Sequence, residues 1–142
     1  VNNGKITVFG GTQKRPNLHV ADMCDLYSHL LKEEDAKIAG EVFNAGFQNM
    51  SIMEIAELAR KVVQELFPEK GEIEIVTTPT DDNRSYHVNS DKIRKQLGFE
   101  PKRNVEIAIR DLCQAFKENK LPDSMTDDFY FNVKRLKAME AA

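Results

Sequence analysis

Two arginines stand in polar segments that lie far apart in the sequence. Arg15 follows the turn-forming pair Gly10-Gly11, and Arg84 follows Asp82 in a stretch rich in Thr, Pro, Asp and Asn. A guanidinium group is a planar fork of donors that can bind two phosphate oxygens at once. Backbone can also approach a ligand closely at a Gly-Gly turn. We therefore predict that Arg15 and Arg84 form a clamp for a diphosphate, in which Asp82 accepts hydrogen bonds from ribose hydroxyls.

Each of these arginines also has a purely structural interpretation. Arg15 could form a salt bridge with Asp22 or remain a surface charge, and Arg84 could pair with Asp81 or Asp82. Asp22 lies near the predicted start of a helix, where a carboxylate interacts favourably with the helix dipole and can cap the helix. The sequence leaves these alternatives open.

A complete catalytic centre is not visible in the sequence. Gly10-Gly11 lacks the G-x-G-x-x-G spacing of a dinucleotide-binding loop, and no Ser/His/Asp group or metal-ligand spacing stands out. Tyr130 and Lys134 have a Tyr-x-x-x-Lys spacing, which places both side chains on one face of a helix and could support proton transfer. That pattern is short, and no cofactor-binding loop accompanies it, so we do not expect it to be catalytic.

The composition predicts one soluble domain or a piece of a larger one. The chain has 142 residues, of which 41% are hydrophobic and 30% charged, and its net charge of −3 argues against a general nucleic-acid binder. No signal peptide or long apolar run predicts a membrane span. Cys24 and Cys113 fall within predicted helices, and we expect both to be buried, reduced thiols of a cytoplasmic protein.

Hydrophobic spacing predicts a small mixed α/β fold with few strands. Ser51 and Glu54 form a capping-box pattern at the start of one helix, Asn89 or Ser90 is expected to cap another, and Gly98 suits the end of the latter. Three strands are predicted at residues 5–9, 41–44 and 72–76, and five helices at residues 20–33, 52–67, 91–97, 105–119 and 127–139.

Several motifs, taken together, resemble a known enzyme family. The segment at residues 15–23 resembles the R-x-x-x-H-V-x-D element of extended short-chain dehydrogenases/reductases, the nucleotide-sugar epimerases and dehydratases. Residues 42–46 resemble their Y-N-x-G strand, which is followed there, as here, by a helix opening S-x-x-E-I-A. Asp82-Asn83-Arg84 resembles a G-D-x-R element, although Asp81 replaces its glycine, and residues 92–101 resemble K-x-x-x-x-L-G-(W/F)-x-P. The resemblance covers about residues 5–117 and leaves out residues 121–142, a predicted helical tail.

The resemblance implies roles for individual residues. It implies that Arg15 and Arg84 hold the diphosphate of a sugar nucleotide and that Asp82 meets the ribose. The strand at residues 6–9 and the turn after it would line the base pocket. Asn17, His19 and Asp22 are expected to be structural or to line the pocket, and for His19 and Asp22 the resemblance implies the structural role.

The resemblance also implies that this chain is a fragment. The family's Gly-rich NAD(P) loop and its catalytic Tyr-x-x-x-Lys precede the region covered here, so we expect a C-terminal substrate-binding part, excised or from a truncated reading frame, that binds no cofactor by itself. In the full-length parent, NAD or NADP would take a hydride from a sugar carbon, and epimerisation or elimination would follow.

An alternative from another functional class is a non-catalytic binding or self-assembly module. The aromatic stretch Phe129-Tyr130-Phe131 could then mediate self-association, for example as a homodimer. The sequence does not decide between a substrate-binding fragment and such a module.

Overall fold

Four short strands and six α-helices make up the part of the chain that the computed structural model describes, residues 1–82 and 84–140. Asn83 of the predicted Asp82-Asn83-Arg84 motif and Ala141 and Ala142 of the predicted tail lie outside the described residues. Single 3-10 turns occur at Pro68–Lys70 and Asp128–Tyr130. The elements are β1 (Lys5–Phe9), β2 (Lys14–Asn17), α1 (Val20–Leu30), α2 (Asp35–Ile38), β3 (Gln48–Ser51), α3 (Ile52–Leu66), β4 (Glu74–Thr78), α4 (Asp91–Leu97), α5 (Val105–Lys117) and α6 (Asn132–Glu140).

The strands form two separate two-stranded sheets. β1 pairs with β4 in parallel, with Ile6 opposite Ile75, and the connection between them contains α3, as a parallel pair requires a long crossover. β2 pairs with β3 antiparallel, with Arg15 opposite Met50. The predicted capping box joins the second sheet to α3, because Ser51 Oγ accepts from Glu54 N at 3.1 Å and the Glu54 carboxylate accepts from Ser51 N at 2.7 Å.

Two hydrophobic clusters stabilise this arrangement. In the first, α3 packs against α5 and β1. The second joins α1 to α4 and to Phe99, which follows α4. Because β2 lies directly before α1 and β3 directly before α3, packing of these helices also positions the second sheet. The first cluster consists of Val62, Val63, Phe67, Ile73 and Cys113, and the second of Leu26, Ile93, Leu97 and Phe99.

The prediction of a strand at residues 41–44 is wrong. This segment has irregular backbone, and Val42 is 78% exposed. A strand requires a neighbour to receive its backbone hydrogen bonds, and residues 41–44 pair with no strand of the described chain, whereas residues 48–51 pair with β2. The strand predicted at residues 72–76 begins two positions later, at Glu74.

Strand β2 and helix α2 were not predicted. The sequence of β2, Lys-Arg-Pro-Asn, has turn character, and Pro16 disfavours a central strand. The strand forms because β3 lies beside it on one side. Arg15 therefore projects from a strand and not from a loop.

Helix α1 buries only one of its faces. Leu26 is buried against α4, whereas Val20, Tyr27 and Leu31 lie on an exposed stripe together with Cys24. The predicted burial of Cys24 is therefore wrong, while that of Cys113, which is 2% exposed in the first cluster, is confirmed. Helix α6 forms within the predicted tail, and none of its described residues is buried.

Glycine is required at position 10, where the turn after β1 meets the loop after β4. Gly10 has φ +74°, and a Cβ there would lie 2.7 Å from Thr80 Cγ2 and 2.8 Å from the Gln13 side-chain amide. That amide cannot move freely, because it accepts from Gly11 N and donates to Phe9 O, each at 2.6 Å.

We expect Gly10→Ala to lower the free energy of unfolding by about 2 kcal/mol, through backbone strain and this steric overlap. Urea denaturation measures the effect. Gly40→Ala is the matched control, since Gly40 has φ +76° but no atom within 4 Å of its added Cβ. A loss in Gly10→Ala no larger than in Gly40→Ala would show that the contact with Thr80 is unimportant.

Candidate functional site

The segment at residues 84–86 runs alongside β2 and brings the two arginines together. Lys14 N donates to Ser85 Oγ at 2.9 Å, and Tyr86 N donates to Lys14 O at 3.0 Å. These bonds attach the segment to the edge of β2 that β3 does not occupy. Arg15 and Arg84, which are far apart in sequence, therefore lie at one place on the surface.

Two polar side chains attach the residues that follow this segment, up to Ser90. Asn49 of β3 accepts from Val88 N at 2.9 Å and donates to Val88 O at 3.1 Å. Ser90 Oγ accepts from Gly46 N at 2.8 Å and donates to Gly46 O at 3.0 Å. Ser90 is thereby used for this attachment and not for capping α4, where Asn89 Oδ1 accepts from Asp91 N at 2.7 Å.

Asp82 lies between the two guanidinium groups. Arg84 donates from Nε to Asp82 Oδ1 at 2.7 Å and from Nη2 to Oδ2 at 3.0 Å, and Arg15 Nη2 lies 3.4 Å from Oδ2. Arg15 therefore pairs with Asp82 and not with Asp22, and Arg84 also pairs with Asp82. We call Arg15, Asp82 and Arg84 the arginine cluster.

The arginine cluster retains donors for a ligand. Each guanidinium carries five N–H groups. Within the described residues, Arg15 uses three of them, one toward Asp82 and two toward the carbonyls of Lys14 and Arg84, while Arg84 uses two, both toward Asp82. Arg84 is 72% exposed at its side chain, so its remaining donors face solvent.

The electrostatics of the arginine cluster favour an anion. The hydrogen bond from Arg84 lowers the pKa of Asp82 to about 2, and the same bond raises the pKa of Arg84 above its ordinary value. Asp82 is therefore ionised at neutral pH, and the three side chains carry a net charge of one positive unit. Thr80 contributes to the shape of the loop, because its hydroxyl accepts from Asp82 N at 3.2 Å.

Asp22 is buried away from the arginine cluster and links α1 to the loop before α5. It is 1% exposed, and Oδ2 accepts from Lys102 N at 3.1 Å and Arg103 N at 2.8 Å, while Oδ1 receives the Arg103 guanidinium at 2.5 Å. Burial alone would raise the pKa of Asp22, but the hydrogen bonds from Arg103 and Lys102 together lower it.

His19 and Asn17 make contacts that hold the turn from β2 into α1. His19 Nδ1 accepts from Ala21 N at 3.0 Å and so caps α1, while Nε2 lies 3.2 Å from an Asp111 carboxylate oxygen. Asn17 Nδ2 donates to Arg15 O at 2.8 Å, which fixes the backbone of the arginine itself. Both residues line a cleft of about 250 Å³ between β2 and the start of α5.

The arginine cluster lies on an open surface. A second cleft, of about 400 Å³, runs beside residues 87–91 and Phe99, and neither cleft is lined by Arg15 or Arg84. Within residues 1–82 and 84–140, no group of three or more His, Cys, Asp or Glu side chains could hold a metal ion. In the same residues, no helix combines the length and apolarity needed to cross a membrane.

The beginning of the chain matches a known family. Residues 1–46 match the model of the NAD dependent epimerase/dehydratase family. The chain is a partial match to this family. A comparison with curated protein sequences found no match.

Solved structures extend the likeness of fold to most of the chain. L-threonine dehydrogenase from Phytophthora infestans has a TM-score of 0.67 over 83% of this chain at 13% identity. RMD from Pseudomonas aeruginosa, complexed with NADPH, has a TM-score of 0.66 over 83% at 22% identity. UDP-glucose 4-epimerase from Thermotoga maritima, with UDP-glucose, has a TM-score of 0.63 over 81% at 21% identity.

The chain spans roughly a third of these structures, covering 38%, 37% and 35% of their respective lengths. The likeness establishes the fold, so the predicted small mixed α/β domain is confirmed. Its assignment to the C-terminal, substrate-binding part of an enzyme stays a prediction.

The turn after β1 differs from a dinucleotide-binding loop in the element that follows it. A dinucleotide-binding loop leads from a strand into a helix, whose N-terminus receives the pyrophosphate. Gly10-Gly11 instead leads from β1 into β2. The helix that begins beside the turn is α3, which comes later in the chain, and its Met53 N donates to Gly11 O at 3.0 Å. Gly10-Gly11 therefore does not have the strand–turn–helix order of a dinucleotide-binding loop.

Proposed function

We propose that this chain is the C-terminal substrate-binding part of an NAD(P)-dependent nucleotide-sugar epimerase or dehydratase of the extended short-chain dehydrogenase/reductase family. Its role would be to bind the diphosphate of the nucleotide sugar. The observation that carries the proposal is the arginine cluster, in which two segments distant in sequence bring two guanidinium groups to one carboxylate. The match of residues 1–46 to the NAD dependent epimerase/dehydratase family supports it.

The two arginines would contribute differently to phosphate binding. Arg15 Nη1 donates to the carbonyl oxygens of both Lys14 and Arg84, so its position is set before the ligand arrives. Arg84 is exposed and is held through Asp82, so it can turn toward a phosphate. Asp82 would remain between them and accept hydrogen bonds from ribose hydroxyls. The fixed charge of Arg15 and the adjustable charge of Arg84 would together orient the nucleotide. Binding energy from the diphosphate, remote from the reacting carbon, would then position the sugar.

The chemistry of the reaction would lie in other parts of a longer protein. NAD or NADP bound there would supply the hydride acceptor. The residues described here would bind and orient the substrate, and we expect this chain alone to be inactive.

The second candidate function is a self-assembly module, and it is favoured by the exposed apolar surface of the tail. Phe129 is 78% exposed, and Val133, Leu136 and Met139 of α6 are also exposed. Large exposed apolar surfaces mark interaction sites. Sedimentation velocity at several protein concentrations distinguishes the cases, since a concentration-independent monomer would argue against self-assembly.

Amide NMR spectra recorded during titration test the proposed function. UDP, GDP, CDP and dTDP are added separately to the full chain, with NAD as the control. We expect one nucleotide to shift the signals of Arg15, Asp82 and Arg84, and NAD to leave them in place. A well-dispersed spectrum that responds to none of the four nucleotides would contradict the proposal. L-Threonine is a further control, because the fold alone is shared with a threonine dehydrogenase.

A further inference from the structure

We propose that Tyr86 is a positioning residue of the diphosphate clamp, whose ring holds the Arg15 guanidinium in the orientation that a phosphate requires. This inference rests on the proposed function, since it concerns the same anion site. It adds a residue that carries no charge and that is absent from the motifs compared above.

The first observation is the position of the ring. The Arg15 Cζ atom lies over the Tyr86 ring, 5.3 Å from its centroid, within the range of a cation–π interaction. The backbone of Tyr86 is fixed beside β2, because Tyr86 N donates to Lys14 O at 3.0 Å. Lys14, which precedes Arg15 in β2, therefore fixes the backbone of Tyr86, whose ring supports Arg15.

The second observation concerns the direction in which Arg15 is held. Its hydrogen bonds to the carbonyls of Lys14 and Arg84 and its contact with Asp82 act along the N–H groups, in the guanidinium plane. A ring beneath Cζ restrains movement out of that plane. The contact with Asp82 is long, at 3.4 Å, so a phosphate can replace it without disturbing the ring.

The third observation is that Tyr86 also lies near the second arginine. After the dominant effects of Asp82, Tyr86 also contributes to the raised pKa of Arg84. Tyr86 is 47% exposed, so it is accessible at the same surface as the arginine cluster. Cation–π contacts elsewhere in the described chain, such as Lys117 over Phe67, lack this arrangement of a second guanidinium and a shared carboxylate.

A double-mutant cycle with inorganic pyrophosphate as the probe tests the inference on the full chain. We expect Tyr86→Leu to weaken pyrophosphate binding about 2–5-fold, the effect of a partly exposed cation–π contact. Tyr86→Phe keeps the ring and should bind within twofold of the parent. In an Arg15→Ala background, Tyr86→Leu should cause no further loss, because Tyr86 acts through Arg15. Tyr27→Leu is the matched control, because Tyr27 is an exposed tyrosine of α1.

The outcomes separate this inference from the proposed function. If Arg15→Ala and Arg84→Ala weaken binding but Tyr86→Leu binds like the parent, the inference about Tyr86 fails alone. Independent losses from Tyr86→Leu and Arg15→Ala, or a loss in Tyr86→Phe equal to that in Tyr86→Leu, would also overturn it. If neither arginine variant loses affinity, the proposed function itself fails. Tyr86→Gln serves as a second ring-free variant if Tyr86→Leu does not fold.

Discussion

Replacing Asp22 with alanine is expected to lower the free energy of unfolding by about 3 kcal/mol, the lower end of the cost of breaking a buried ion pair. The substitution removes the acceptor of two backbone N–H groups and of the Arg103 guanidinium, at a residue that is 1% exposed. The lower end applies because Arg103 keeps Asp25 as a partner at 2.7 Å. Urea denaturation followed by circular dichroism measures the loss.

Asp25→Ala is the control for the Asp22 prediction. Asp25 pairs with the same guanidinium but is exposed, so its removal should cost no more than about 1 kcal/mol. The pH dependence provides a second readout. The pKa of Asp22 is lowered in the folded state, so its stabilisation is present at neutral pH and is lost as pH falls through the folded-state pKa. Equal losses in the Asp22 and Asp25 variants would contradict the structural role of Asp22.

Replacing Arg84 with alanine is expected to weaken binding of a nucleoside diphosphate by about 10–100-fold, the effect of losing a charged hydrogen bond. Arg15→Ala should cause a loss of similar size. The Arg84 variant is the more direct test, because Arg84 is 72% exposed and bonds to Asp82 within its own loop, whereas Arg15 also ties β2 to the neighbouring segment. Isothermal titration calorimetry measures both affinities.

Arg94→Ala provides the control for the arginine variants. Arg94 is an exposed arginine of α4 that pairs with Asp91 and lies outside the arginine cluster, so its removal should leave nucleotide affinity unchanged. Arg84→Lys should recover only part of the loss, since a lysine keeps the charge but not the two-pronged donor geometry. If Arg84→Ala binds the nucleotide as tightly as the parent, the clamp is incorrect.

Local signals allowed part of the fold to be predicted. The capping box at Ser51 and the left-handed Gly98, with φ +66°, depend on a few neighbouring residues, so the pattern alone located α3 and the end of α4. The strand at residues 41–44 could not be assessed in this way, because strand formation depends on a partner distant in sequence. The same dependence explains why β2, with its unfavourable Pro16, was missed.

The candidate site was predictable in its charges but not in its geometry. The types of Arg15, Asp82 and Arg84 indicated an anion-binding role, yet their proximity depends on the attachment of residues 84–86 to β2. Ser85 and Tyr86 provide that attachment. The spacing of Arg84 and Tyr86 was a signal that both face the same side, since residues two apart share a face of an extended segment.

The most direct test of the central claim is to observe the two guanidinium groups during binding. The Nε–Hε NMR signals of Arg15 and Arg84 can be assigned with Arg15→Lys and Arg84→Lys variants of the full chain. They are then followed as the nucleoside diphosphate selected by the amide titration is added. We predict that both signals shift together and give a single dissociation constant, while the Arg94 signal stays in place. If the nucleotide binds and neither the Arg15 nor the Arg84 signal moves, its diphosphate is held elsewhere and the proposed clamp is wrong.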